Sequence, residues 1–178
     1  DSDTPRRPKN DIPPIGTQSM GLVNGSDLEW SELEHGQTRF ERKQLGAAAG
    51  GEALGCSLYE LPSGHHAWPY HYHTGNEEAI YVLEGTGTIR LDGETYDLEA
   101  GDYAALPADE SGAHKIINDS DDPLRYLCLS TMHEPDLTVY PDSGKMGVYA
   151  GSPPGGSGER SLEGYYRIAD DVDYWEGE

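Results

Sequence analysis

The stretch from residue 54 to residue 132 repeats one pattern, in which short runs that favour β-strands alternate with turn signals. No segment of useful length with helical periodicity interrupts it. Asp92-Gly93 stands between two such runs and predicts a tight hairpin, because both central positions of a primed turn need a positive φ. The chain therefore predicts an all-β sandwich or barrel. The runs are LGCSLYEL, PYHYH, AIYVLEG, TIRL, ETYDL, DYAALP, HKIIN and LRYLCLSTM.

The flanks of this region differ from it in composition. A chain of 178 residues has the length of one domain with appendages. Residues 1–26 are polar, contain prolines and predict a flexible N-terminal arm. The barrel is assigned to residues 27–132, although residues 27–46 fit either a short strand or a helical turn. Residues 133–178 form a C-terminal extension with a Gly- and Pro-rich linker, and its exposed aromatic rings predict docking on the barrel or on a partner subunit, the second giving a homodimer.

The charge is strongly acidic, with 33 Asp and Glu against 12 Lys and Arg and a formal net charge of −21. Such a surface repels phosphate backbones, so nucleic acid is excluded as a partner. The acidic residues are spread along the chain and resemble those of salt-adapted, haloarchaeal proteins, the alternative being an ordinary acidic protein. No apolar run reaches 18 residues and the N-terminus lacks the apolar stretch of a secretory signal, so we expect no membrane association and a cytoplasmic location.

The segment PYHYH places two histidines in alternation. In a strand, His71 and His73 project to one side and Tyr72 to the other. Unpaired polar groups inside a barrel cost about 1 to 3 kcal/mol each, and a cation would satisfy both rings at once. Glu77 and Glu78 follow the next turn, and one of them should face inward to supply the charge that a divalent ion prefers.

These residues resemble the first motif of the cupin superfamily, G(X)5HXH(X)3,4E(X)6G, across residues 64–85. Its spacing matches His71, His73 and Gly85 and selects Glu78 over Glu77. The second motif, G(X)5PXG(X)2H(X)3N, resembles residues 101–118, where it adds His114. Each match contains a longer loop than the pattern, before His71 and before His114. Loops tolerate insertions better than strands tolerate shifts of register, so the side-chain geometry should persist.

The resemblance, to small single-domain cupins of type 2, implies a jelly-roll barrel, also called a double-stranded β-helix. It implies a divalent metal ion, manganese, iron, zinc or nickel, held by His71, His73, Glu78 and His114. A small-molecule ligand rich in oxygen is the expected partner. Three activities stay open: an iron-dependent dioxygenase, a sugar-phosphate isomerase, and a non-catalytic binding or sensor protein. The isomerase needs cations near the cavity, and the strands AIYVLEG, TIRL and HKIIN offer only Arg90 and Lys115.

Several other residues have two interpretations each. Arg39, Arg42 and Lys43 form a cationic cluster that either recruits an anionic ligand or pairs locally with acidic neighbours, and we favour local pairing. Asn118 is expected to stabilise the end of a strand through its backbone neighbours. The tyrosines either line the cavity or supply packing; they are Tyr70, Tyr81 and Tyr103.

Overall fold

The structure, a computed structural model, describes residues 21–178, and most of the predicted N-terminal arm lies outside this range. Thirteen β-strands and one helix of four residues, α1 at Leu45–Ala48, account for the described part of the chain together with short 3-10 turns. None of the helices in residues 21–178 is long and apolar enough to cross a membrane. The strands are β1 Ser31–His35, β2 Thr38–Gln44, β3 Leu54–Leu61, β4 Tyr72–His73, β5 Glu78–Glu84, β6 Thr86–Leu91, β7 Glu94–Glu99, β8 Tyr103–Leu106, β9 His114–Ile117, β10 Leu124–Thr131, β11 Asp136–Tyr140, β12 Lys145–Ala150 and β13 Leu162–Arg167.

Two antiparallel layers make up the barrel. The first is a six-stranded sheet in the order β1-β2-β3-β10-β5-β8. The second consists of the sheets β13-β12-β11-β4 and β7-β6-β9, which meet where His71, just before β4, pairs with His114 of β9. Both backbone hydrogen bonds of that pair form, with N to O distances of 3.1 and 2.8 Å. The all-β jelly-roll predicted from the sequence is confirmed.

The core lies between the layers and follows from strand alternation. Along β5, Ile80 and Val82 are buried whereas Tyr81 and Leu83 face outward and are exposed. Along β9, His114 and Ile116 are buried in the same way. The remaining core residues are apolar or aromatic side chains from both layers: Phe40, Tyr59, Leu61, Ala67, Ile89, Leu98, Leu106, Leu124 and Tyr126.

The turns between strands behave as their residues predict. Asp92 and Gly93 have φ values of 48° and 82° and join β6 to β7, so the hairpin prediction is confirmed. Asn118 follows β9 and is fully buried; its amide donates to the carbonyls of Leu61 and Asp122, each at 2.8 Å. That contact ties the end of β9 to β3, the strand-end role expected of it.

The regions outside the repeating pattern also form strands. Residues 27–46, where the sequence left strand and helical turn open, contain the hairpin β1–β2 and the start of α1. In the C-terminal region, β11 pairs with β4 through Thr138 and His73. The Gly- and Pro-rich segment 152–158 then folds back over the barrel, with Gln44 Nε2 donating to the Gly155 carbonyl at 3.0 Å. Docking of residues 133–178 on a partner subunit stays a prediction.

Gly85 follows the strand β5 and offers a test of how tightly the backbone there packs against Pro123. Its φ is +87°, and an added Cβ would clash with the Pro123 carbonyl oxygen. Gly101 has a φ of +103° with open space around the Cβ position, so it isolates the backbone cost alone. We expect Gly101→Ala to lower the free energy of unfolding by about 1 to 2 kcal/mol and Gly85→Ala to lower it by about 1 to 3 kcal/mol more. Urea titrations measure both, and equal losses would contradict the packing argument.

Candidate functional site

Three imidazole rings and one carboxylate converge at the junction of β4 and β9. The rings of His71, His73 and His114 are 6 to 7% exposed. Glu78 opens β5 in the opposite layer and turns inward, whereas Glu77 is exposed. Oε2 of Glu78 lies 3.6 Å from Nε2 of His73 and 3.5 Å from Nε2 of His114.

The arrangement has the compactness that a single ion needs. One potential ligand atom from each of His71, His73 and Glu78 lies within 4.8 Å of the other two. His114 is next to this group: it lies beside Glu78, and the ring centroids of His114 and His71 are 4.6 Å apart. The four predicted site residues are therefore neighbours, although His114 lies outside the tightest set of three.

Hydrogen bonds fix which nitrogen of two of the rings is protonated. Nδ1 of His71 lies 2.7 Å from the Pro69 carbonyl oxygen, and Nδ1 of His114 lies 2.9 Å from that of Gly112. A carbonyl can only accept, so Nδ1 must carry the proton in both rings. The lone pair is thereby left on Nε2, the nitrogen through which a neutral imidazole binds a metal.

His73 is held by a buried carboxylate that the sequence analysis did not single out. Asp136, fully buried at the start of β11, lies with Oδ2 2.5 Å from Nδ1 of His73, and its Oδ1 accepts from the Gly75 backbone at 2.9 Å. Thr138, on the same face of β11, adds a contact of 3.2 Å to the same nitrogen. The alternation in DLTVY could have indicated this face, but the sequence analysis predicted no strand beyond residue 132.

The electrostatics separate His73 from the other two rings. Burial lowers the pKa of His71 well below its usual range, helped by the charges of His114 and His73. Burial also lowers the pKa of His114, although the charge of Glu78 opposes it. For His73, burial acts in the same direction, but the hydrogen bond to Asp136 and the charges of Glu78 and Asp136 outweigh it and raise the pKa. Two rings therefore favour the neutral form and the third is tuned by Asp136.

A cavity of about 580 Å³ lies between the layers and contains the four site residues in its wall. The C-terminal region supplies much of the rest of the wall, including the segment 152–158. Tyr140 of β11 stacks on His71 with ring centroids 5.9 Å apart, and the hydroxyls of Tyr149 and Tyr165 lie 2.8 Å from each other. The cavity therefore combines the polar cluster with an aromatic wall.

The tyrosines that the sequence offered as candidates for lining the cavity lie outside its wall. Tyr70 is buried as packing: its hydroxyl accepts from the Gly93 backbone at 2.9 Å and Arg90 covers its ring. Tyr81 and Tyr103 pair across β5 and β8 on the exposed outer face. The cavity instead takes tyrosines that the sequence analysis did not assign to it: Tyr59, Tyr126, Tyr140, Tyr149 and Tyr165.

The cationic cluster divides between two environments. Arg39 pairs with Glu32 at 3.0 Å, and Lys43 donates to the Gly25 carbonyl at 2.8 Å. Local pairing is therefore right for Arg39. Arg42 lies between them in β2 and turns into the cavity wall, and within residues 21–178 it has no ion pair of the kind favoured for it.

Comparison with known proteins agrees with this geometry. The family model for the cupin domain matches residues 57–130, which hold all four site residues. Residues 57–130 are a cupin domain. An uncharacterised protein of Methanocaldococcus jannaschii is 40% identical over 60 residues, which cover 34% of this chain and 46% of that protein. Quercetin 2,3-dioxygenase of Bacillus subtilis is 42% identical over 50 residues, which cover 28% of this chain and 15% of the enzyme. This cupin thus spans less than half of the length of these curated relatives.

Solved structures extend the similarity beyond the cupin motifs. A protein named as a candidate sugar phosphate isomerase from Acidithiobacillus ferrooxidans is 25% identical, with a TM-score of 0.73, and the match covers 85% of this chain and 95% of the other. A sugar phosphate isomerase of the cupin superfamily from Silicibacter pomeroyi is 22% identical, with a TM-score of 0.70 over 88% and 98% of the two chains, and shows the same fold. The cupin architecture therefore includes the strands of the C-terminal region.

Replacing Asp136 by Asn tests whether this carboxylate raises the pKa of His73. Because the hydrogen bond and charge of Asp136 raise the pKa of His73 against the effect of burial, Asp136→Asn should lower that pKa relative to the wild type. On acidification of metal-free protein, His73 should then protonate at a lower pH. Histidine titrations by NMR measure the shift, with exposed Glu134→Gln as the control. An unchanged titration of His73 in a folded Asp136→Asn protein would show that the carboxylate does not tune the ring.

Proposed function

We propose that this cupin binds one divalent metal ion through His71, His73, His114 and Glu78 and acts through it on an oxygen-rich small molecule. The observation that carries the proposal is the hydrogen bonding of the rings. Nδ1 of His71 and of His114 donates to a carbonyl, so the unprotonated Nε2 atoms are available beside the Glu78 carboxylate. Nitrogen and carboxylate donors in this ratio suit manganese, iron, zinc or nickel.

The surrounding residues support this use of the site. Ligating histidines in proteins usually donate their second ring nitrogen to a carbonyl or carboxylate, which orients the ring, and Pro69, Gly112 and Asp136 provide such acceptors. A bound divalent ion would supply Lewis acidity or redox chemistry to a ligand that chelates it through two oxygens. The aromatic wall limits water in the cavity and can pack against the carbon skeleton of the ligand.

Among catalytic activities, sugar-phosphate isomerisation receives the most support. The similarity to the candidate isomerase of Acidithiobacillus ferrooxidans extends over 85% of this chain, whereas the dioxygenase match is confined to 28%. The cavity wall also contains Arg42 and Arg160. These two cations lie outside the strands AIYVLEG, TIRL and HKIIN, in which few cations were expected. Both favour a phosphorylated sugar over a flavonoid or a catechol as the ligand.

Glu78→Gln tests the metal site and has a matched control one residue away. The variant removes the only carboxylate of the proposed ligand set, so metal affinity should fall by more than the ten- to hundredfold typical of losing an outer partner. Exposed Glu77→Gln should bind metal like the wild type. Elemental analysis and competitive titration of protein purified without a histidine tag give both values. Equal metal content in the two variants would exclude this ligand set, and Asp136→Asn should fall between them.

A turnover screen separates an enzyme from a binding protein. Metal-loaded protein should convert members of an aldose phosphate panel into the ketose isomers, and His71→Ala, which removes a proposed ligand, should abolish the conversion. Hydroxy acids, and catechols under oxygen, belong in the same panel because they represent the competing chemistries. A rise in melting temperature with no product from any of them would instead identify a metal-dependent binding or sensor protein.

A further inference from the structure

Arg42 differs from the other basic residues of the cavity wall. Its Nε is buried and has no hydrogen-bond partner within residues 21–178, the one such side-chain atom in the described part of the chain. No carboxylate of a described residue lies within 4.0 Å of its guanidinium. A buried donor left without an acceptor is costly, more so on a charged group. Nε of this cation therefore has no acceptor in the described part of the chain, although the guanidinium also makes a side-chain hydrogen bond with Tyr59.

Two other cations adjoin the cavity: Arg160 is already engaged, and Lys115 lies on the other face of its strand. Arg160 donates to the carbonyls of Ser152 and Pro153 and pairs with Glu163 at 2.9 Å. Lys115 follows His114 in β9, so its side chain leaves the strand on the face opposite to that imidazole. Arg42 alone among the three combines a cavity position with a buried donor atom that no described residue satisfies.

Strand register places Arg42 on the same inward face as the metal-site carboxylate. Arg42 of β2 pairs with Tyr59 of β3, which pairs with Tyr126 of β10. Glu78 of β5 pairs with Ser130 of β10, an even number of residues from Tyr126. Positions separated by two in a strand share a face, so both side chains point between the layers.

Cys128 lies between these two groups and responds to both. Burial raises the pKa of its thiol well above the usual value, the negative charge of Glu78 raises it further, and the positive charge of Arg42 opposes them. Both charges therefore act on one point of the cavity wall. Arg42 and the proposed metal ligands line the same cavity, so one ligand there is exposed to both.

Tyr59 adds a neutral donor beside the guanidinium. Its hydroxyl oxygen accepts from Nε1 of Trp68 at 3.1 Å, which leaves the hydroxyl proton free to donate. Burial raises the pKa of Tyr59 to about 12, although the charge of Arg42 opposes the shift, so the hydroxyl stays protonated near neutral pH. The pair can therefore offer charge-assisted and neutral hydrogen bonds to one acceptor.

We propose that Arg42, assisted by Tyr59, binds a carboxylate or phosphate group of the ligand whose other oxygens occupy the metal site. This inference rests on the proposed function and assigns the anionic group of its ligand to Arg42. Arginine suits the role because its planar fork matches two oxygens of an oxyanion at once. A specific cation is needed, since a net charge of −21 opposes any anion that approaches the protein.

The test compares Arg42→Met with Arg39→Met, an ion-paired arginine three positions earlier on the same strand. Calorimetric titration uses ribose 5-phosphate, gluconate and neutral ribose, each against metal-loaded and EDTA-treated protein. We expect the wild type to bind at least one of the two anions at least about tenfold more tightly than ribose. Arg42→Met should lose that preference while keeping its metal content and melting temperature, and Arg39→Met should keep it.

The outcomes distinguish this inference from the metal proposal. Anion preference that depends on Arg42 in EDTA-treated protein supports the inference even if no metal binds. Retained preference in Arg42→Met, or no preference for either anion in both forms of the wild type, overturns it. Preference for ribose 5-phosphate alone identifies a phosphate site, and preference for gluconate alone identifies a carboxylate site. Arg42→Lys keeps the charge without the fork and should bind between wild type and Arg42→Met, which guards against a variant that merely fails to fold.

Discussion

The backbone pair formed by His71 and His114 is the constraint on which the rest of the site depends. Its two hydrogen bonds join β4 to β9 and so turn two small sheets into one continuous layer. Residues paired across antiparallel strands place their side chains on the same face, close to each other. The fold therefore cannot close this layer without bringing two imidazoles together, and strand alternation adds His73 two residues later.

The C-terminal region supplies residues that orient the histidines of the cupin motifs. β11 pairs with β4, and its first residue, Asp136, fixes the ring of His73 from a fully buried position. Tyr140, at the other end of β11, stacks on His71. The segment 152–158 then covers the cavity, held by Gln44 and Arg160. Residues far apart in the sequence thus orient the same cluster, so the extension and the barrel form one structural unit around it.

The sequence predicted features that depend on neighbouring residues and missed features that depend on contacts between distant segments. The period-two runs and the Asp92-Gly93 turn are local signals, and they identified the all-β jelly-roll and its β6–β7 hairpin correctly. Motif spacing selected Glu78 over Glu77, and Glu78 is the one that turns inward. Asp136 was not recognised as the partner of His73, nor Arg42 as a cavity residue, because their positions depend on pairing between distant strands. Arg39, Arg42 and Lys43 look equivalent in the sequence, and only the alternation of β2 separates Arg42 from its neighbours.

The charge distribution gives these two missed residues complementary roles. The carboxylates of Asp136 and Glu78 concentrate negative potential at the rings of His73 and His114, which favours a cation there. Arg42 stands on the opposite side of Cys128 and favours an anion. Charges in a cavity wall act more strongly on a ligand than charges on the open surface. Under the proposed function, a ligand with a metal-chelating end and an anionic end would be oriented by these charges, because the reverse orientation would set its anion against Glu78 and away from Arg42.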